Sequence, residues 1–261
     1  MRPWLAIISV ACGSAIICGC SSKQASATSA DAGGDDASSG EANGTGPELP
    51  ACGAAPYVTV GIVVSGVTLN PPAPLVEGAV LTSPLCPGIA LTSAHDGTMN
   101  GRIAQNVPFY GRVEAKSYAK TLTPEQLFKV DTPAVALTLP PALLTALIPG
   151  YSATSTTIFL NMFKDGGHGA CNALDGTTFD VMGHPEAVVT YFSADSVPVA
   201  TTGTATTTGG KATITGLSAG DPVTVLGHKP GCTVTLVKDN ATGRSPLEAG
   251  WVTLGGVWIH D

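Results

Sequence analysis

From Tyr57 onward the hydrophobic positions recur every second residue, in short runs bounded by Gly, Pro, Asn and Asp. Tyr57-Val58-Thr59-Val60-Gly61-Ile62-Val63-Val64 sets the pattern: Val58, Val60, Ile62 and Val64 fall on one face of a strand rich in β-branched residues. A Pro-rich break at Pro71, Pro72 and Pro74 follows. Residues 78–82, 88–92, 102–104 and 109–115 then read as short strands, with Asp96-Gly97 and Asn100-Gly101 as turn signals. Residues 156–160 form the next strand, and a Gly-rich loop at 165–169 leads to Cys171. Residues 184–192 read as one strand with Pro185 at its entrance, where a missing donor is tolerated. Residues 204–208, the Gly209-Gly210 turn and 211–215 predict a hairpin. Strands at 223–226, 232–237, 251–254 and 257–259 close the chain, and Cys232, Val234 and Leu236 share a face. A last segment of this kind is expected to be held in a sheet.

Two brief helical insertions interrupt the pattern. Thr123-Pro124-Glu125-Gln126 places a capping Thr before a first-turn Pro, with Gln126 set to complete a capping box and the turn running to Phe128. A second helix is predicted from Pro141, with Leu143, Leu144 and Leu147 on one face and Pro149-Gly150 as its stop. Neither is long enough to stand without packing. About 12 to 14 short strands with little helix predict an all-β fold in which sheets cover one another. The expected division is a first β-sandwich module at 51–150 and a second at 151–261.

The first fifth of the chain has a different character. Arg2 precedes an apolar run from Trp4 to Ile17, too short for a span of about 20 residues, and a small residue follows. This is the pattern of a secretory signal peptide, assigned to residues 1–19. Ile17-Cys18-Gly19-Cys20 resembles the lipobox of bacterial lipoproteins, which implies lipidation of Cys20. Cys12 is the poorer candidate because it leaves a very short apolar core. Acyl chains bury CH₂ groups at roughly 0.8 kcal/mol each, so multiple acylation such as palmitate holds a domain at a membrane without a span. Residues 20–50 carry the lipidated Cys and a tether of small polar residues and Gly, with Leu49 its only large apolar side chain.

Composition narrows the function. Of 261 residues, 44% are hydrophobic and 12% charged, which suits a folded chain; Gly 32 and Pro 20 favour short elements separated by turns. Lys+Arg 12 against Asp+Glu 19 gives a net charge of −7, which argues against a nucleic-acid backbone as partner. Four cysteines follow the tether: Cys52, Cys86, Cys171 and Cys232. An even number in an exported domain predicts two disulfides. Three connectivities are open; Cys52–Cys86 with Cys171–Cys232 is favoured because each pair stays within one half. No CxxC or HxH pair supports a metal site instead.

Gly209-Gly210-Lys211-Ala212-Thr213-Ile214-Thr215-Gly216-Leu217-Ser218-Ala219-Gly220, with the following Val223-Thr224-Val225, resembles the core of a carboxypeptidase-regulatory-like, or transthyretin-like (prealbumin-like), module. His184-Pro185-Glu186-Ala187-Val188-Val189 is similar to the entry strand of such modules, and 75–80 with 92–101 is a weaker echo in the first half, where the Gly-Leu-x-x-Gly corner is missing. The resemblance implies Greek-key β-sandwich modules that stabilise, adhere or present a ligand. Independently of it, Leu217 can plug a core beside a sharp turn at Gly216 and Gly220.

Chemistry finds few footholds. Gly216-Leu217-Ser218-Ala219-Gly220 fits the G-x-S-x-G nucleophile elbow, but the pattern after it is a strand where an elbow needs a helix. The five histidines, His95, His168, His184, His228 and His260, lack the closely spaced pair of the transthyretin-like iron dioxygenases. His168, Cys171 and His184 make a loose zinc constellation, but loop histidines and a disulfide-bonded Cys explain those residues without a metal. Asp96, Asn100, Asp175, Asp239 and Asn240 sit near Gly turns, which suits turn formation better than calcium. Trp251, Trp258, Tyr191 and Tyr118 are candidates for a sugar-stacking platform, with buried sandwich positions the expected home of both Trp residues. The reading is a lipid-anchored protein of the bacterial cell envelope, facing the periplasm or the exterior. It binds a protein or carbohydrate or serves a structural role, without catalytic residues, metal or cofactor. An exported hydrolase, or a metal-dependent oxygenase on a β-sandwich scaffold, is the alternative.

Overall fold

The strand-breaking residues divide the chain into many short segments, so sheets must be assembled from pieces far apart in sequence. The computed structural model describes residues 49–66, 73–145, 150–193, 203–236 and 242–261, and Leu49–Asp261 belong to one compact unit. The signal peptide, Cys20, the tether as far as residue 48, Pro71, Pro72, Leu147, Pro149, Asp239 and Asn240 lie outside the described residues.

The first half contributes β1 (Ala51–Cys52), β2 (Tyr57–Gly66), β3 (Val80–Thr82), β4 (Ala90–Thr92), β5 (Thr98–Ala104), β6 (Pro108–Phe109), β7 (Arg112–Glu114), β8 (Thr121–Leu122), β9 (Gln126–Leu127) and β10 (Thr132–Leu139). The second contributes β11 (Thr157–Lys164), β12 (Thr178–Val181), β13 (Val188–Tyr191), β14 (Lys211–Thr215) and β15 (Gly220–His228). It ends with β16 (Thr233–Thr235), β17 (Arg244–Leu247) and β18 (Val252–His260). Helix among the described residues amounts to α1 (Ala142–Thr145) and a 3₁₀ turn at Gly169–Asn172. The fold is an all-β, multi-sheet sandwich.

A nine-stranded sheet in the order β13-β14-β11-β18-β8-β7-β3-β4, with β16 also on β18, runs through both halves. A four-stranded sheet, β1-β5-β2-β10, supplies the other layer over the first half, and a three-stranded sheet, β12-β15-β17, does so over the second. Most pairs are antiparallel. The exceptions are β1 with β5, β2 with β10, and β18 with both β11 and β8.

Each layer pair encloses its own apolar cluster. Val58, Val60, Ile62 and Val64 of β2 are all buried and meet Leu81, Leu91 and Val113 from the larger sheet. In the second cluster Ile158, Leu160 and Met162 of β11 meet Phe179, Val223 and Val225. Disulfides join Cys52 to Cys86 within the first half and Cys171 to Cys232 within the second. Loops of 34 and 61 residues closed this way restrict the unfolded chain by about 4 kcal/mol each in the chain-entropy picture.

Several sequence expectations give way to tertiary context. The predicted helical turn after Thr123 is the short strand β9, because the Thr123 hydroxyl accepts the N–H of Gly111 (2.9 Å) and is not available as a cap. Asn100-Gly101 lies inside β5, where Gly101 faces Leu91. The hairpin expected around Gly209-Gly210 does not form: β14 pairs with β13 and β11, while 204–208 is not strand. Strand 184–192 shrinks to β13, with turns before it. The two strands expected at 251–254 and 257–259 are one, β18, running straight through Gly255-Gly256. Leu160 is fully buried against Gly255, so Leu160→Ala should lower unfolding stability by about 2–5 kcal/mol. Urea titration followed by circular dichroism measures this; an unchanged midpoint contradicts the packing.

Candidate functional site

The corner between β14 and β15 carries the G-x-S-x-G match. Gly216 adopts φ +82°, and a Cβ there would lie 2.8 Å from the Glu186 carbonyl, so a side chain is excluded twice over. Leu217 points into the second cluster, and its carbonyl accepts the Thr156 hydroxyl at 2.6 Å. This anchors the corner and leaves Ser218 exposed at the surface. The chain then enters β15 directly, so the strand-to-helix geometry of a nucleophile elbow is not formed.

Ser218 and His184 nevertheless line one open groove of about 560 Å³, together with Asp221, Arg244 and Met182. The His184 Nδ1 lies 2.8 Å from Glu186 Oε1, and the hydrogen bond from His184 holds the Glu186 carboxyl below its ordinary range. Among the described residues no hydrogen bond joins Ser218 to His184. The groove therefore offers hydroxyl, imidazole and guanidinium groups to a ligand without an assembled nucleophile and base.

A second groove, of about 480 Å³, is bordered by Lys229, His228, Thr178 and Cys232. Lys229 is a buried lysine whose ammonium donates to the carbonyls of Ala173 (2.7 Å) and Asp175 (2.6 Å). Burial pulls its pKa down and the Asp175 carboxylate opposes the shift. The ammonium ties the loop after Cys171 to the segment leading to Cys232.

The remaining candidates are dispersed. His168 contacts Asp261 (Nδ1 to Oδ2, 2.8 Å) while Cys171 is in a disulfide, so the zinc constellation does not assemble. Among the described residues no group of three or more His, Cys, Asp or Glu is placed to hold a metal ion. Asp96 accepts from the backbone and hydroxyl of Thr98, closing its own turn, which lowers its carboxyl pKa. The four aromatic candidates sit in four surroundings. Tyr191 is buried, its hydroxyl accepting the Phe179 N–H; Tyr118 packs on the first cluster. Both Trp residues are half-buried, contrary to the core positions expected for them. Trp251 lies beneath Arg112 and Lys120, and Trp258 stacks on Phe163 at 5.3 Å.

Sequence reading missed the polar seam that joins the halves. Glu248 accepts from Arg112 Nε (2.6 Å) and from the Tyr110 hydroxyl (3.2 Å). Glu125, buried, accepts from the Thr242 hydroxyl at 2.9 Å with Arg244 at 3.7 Å. These charges are separated by more than a hundred residues, so no local spacing announces them.

No protein-family profile matches the chain, and no curated protein does. Among solved structures it is similar to the Bacillus anthracis TIE protein, at 13% identity and a TM-score of 0.25 over 78% of this chain, which spans about a third (34%) of that one. It is also similar to GBS52, the minor pilin of Streptococcus agalactiae, at 13% identity and a TM-score of 0.26 over 78% of this chain and 96% of the pilin. The shaft pilin SpaA of Lactobacillus rhamnosus GG matches at 9% identity and a TM-score of 0.24, over 78% and 98% of the respective chains. At such scores the likenesses identify neither a family nor a function.

Burial, then the Glu248 carboxylate, pushes the Tyr110 phenol up to about 12 from its ordinary 10.0. A raised folded-state pKa favours the neutral form, so this contribution is complete below pH 10 and is lost as pH rises toward about 12. Tyr110→Phe is expected to flatten that part of the stability–pH curve, measured by chemical denaturation at stepped pH. An unaltered slope would show that the phenol is not held as described.

Proposed function

We propose that the chain is a lipoprotein of the bacterial cell envelope, acylated on Cys20 and tethered through the segment up to residue 50. Its sandwich region is read as two prealbumin-like Greek-key modules, 51–150 and 151–261, that bind a protein or carbohydrate ligand, or brace a larger surface structure, without catalysing a reaction. The observation that carries the reading is the use of cysteine. The four cysteines beyond the tether pair with each other inside the fold, which suits an oxidising compartment outside the cytoplasm. That pairing takes no partner from the N-terminal region, so Cys20 of Ile17-Cys18-Gly19-Cys20 is left for acylation.

The separation of the apolar side chains into two clusters, each crossed by its own disulfide, supports the two-module division. A non-catalytic role draws support from the G-x-S-x-G corner, where Leu217 acts as a core plug and Ser218 lies in the short turn that leads into β15 at Gly220. The hydrolase alternative would need the free Nε2 of His184 to bond Ser218, and among the described residues no hydrogen bond joins them, while the corner runs on into β15 instead of a helix.

Intact-mass and peptide mass spectrometry of the protein purified from membranes test the anchor. The expected mature N-terminus is Cys20 carrying acyl chains, and Cys20→Ser should release the chain into the soluble envelope fraction. A mature terminus elsewhere, or membrane retention unchanged by Cys20→Ser, overturns the lipoprotein reading.

A further inference from the structure

An exposed sheet edge is a row of unpaired N–H and C=O groups, and proteins blunt such edges by keeping them short, charged or interrupted by Pro. Most edges in this fold follow that rule. β1, β4, β12, β13, β16 and β17 have two to four residues each; β12 carries Asp180, and β17 carries Arg244 and Pro246. β10 does not follow it. It is eight residues long, Thr-Pro-Ala-Val-Ala-Leu-Thr-Leu, carries no charge, and is the last strand of the four-stranded sheet, paired only with β2 among the described residues. Its one interruption, Pro133 and a register shift between Thr132 and Val135, lies at its beginning and leaves the rest regular.

We infer that β10 is an association surface and that its partner is β10 of a second copy of this chain, paired antiparallel across a two-fold axis near Ala136. The occupant follows from the pattern. Ala134, Val135, Ala136, Leu137 and Thr138 alternate small and apolar symmetrically about Ala136. An antiparallel copy centred there sets Val135 opposite Leu137 on the core side, and Ala134 opposite Thr138 on the other. Val135 is only half-buried at the rim of the first cluster, so a facing Leu137 would finish covering it. Ala134, Ala136 and Thr138 are exposed and small, and obstruct nothing across the seam. With a chain charge of −7, two copies meet least repulsion where neither brings a charge. The joined sheets would run from β1 of one copy to β1 of the other, and both copies would project their remaining surfaces symmetrically. This pairing is independent of whether Cys20 is acylated.

Two measurements on the full chain test it, in mild detergent where the chain is acylated. Sedimentation equilibrium should show a concentration-dependent monomer–dimer equilibrium. Ala136→Lys, at an exposed position, should raise its dissociation constant at least about tenfold through like charges facing across the axis, with the melting curve of the monomer kept. Ala136→Cys in the purified full chain should form a covalent dimer under mild oxidation, while Thr92→Cys, on the short edge β4, should not. If Ala136→Lys does not fold, Thr138→Lys reads the same contact. A chain that stays monomeric at all concentrations overturns the inference. So does a dimer indifferent to Lys at 136 and 138, or an Ala136→Cys chain no more readily crosslinked than Thr92→Cys.

Discussion

The fold rests on β18 being held from both sides. Along Val252–His260 it pairs with β11 at eight positions, with β8 at its beginning and with β16 at its end. Side chains alternate across the strand, so Leu254 lies on the face opposite Val257 and Ile259. Leu254 packs against the first apolar cluster; Val257 and Ile259 belong to the second. One strand therefore closes two cores, and its central glycines are part of that arrangement. A Cβ on Gly255 would stand 2.6 Å from Leu160, and the Trp258 ring lies across Gly256. Glycine costs conformational entropy within a strand, and close approach on both faces is what favours it here.

The polar seam reinforces the same junction. Glu248 precedes β18 and accepts from Tyr110 and Arg112 of the first half, while Thr242 and Arg244 engage Glu125. Removing one member of such a partly desolvated set leaves its partners unsatisfied, which costs more than the bond contributes. Several surface features border this frame: the groove at Ser218 and His184, which shares Arg244 with the seam, the stack of Phe163 on Trp258 of β18, and the β10 edge. A braced scaffold with shallow, exposed features suits recognition of another surface better than enclosure of a small substrate.

Much of the fold was legible because period-two patterning is a local signal. The face made by Val58, Val60, Ile62 and Val64 is buried as the alternation requires, and Cys232, Val234 and Leu236 do pack toward the second core. What was not legible depended on distant partners. Gly-Gly pairs read as turns, yet Gly255-Gly256 continues a strand because Leu160 and Trp258 need the space. Pro133 masked β10, although Val135, Leu137 and Leu139 alternate in the usual way beyond it. The Thr123 cap was drawn to Gly111 by a contact that no local pattern contains. The corner at Gly216 was readable, because Leu217 between two glycines has few other roles. The seam of Glu248 and Glu125 was not.

Hydrogen exchange by mass spectrometry across a denaturant series tests the role of β18 most directly, comparing the native chain with Val257→Ala. Val257 belongs to the second cluster alone. If β18 couples the cores, peptides covering Tyr57–Gly66 should lose protection at the same lowered denaturant concentration as those covering Thr157–Lys164. Loss confined to Thr157–Lys164, with Tyr57–Gly66 protected as before, would contradict the account.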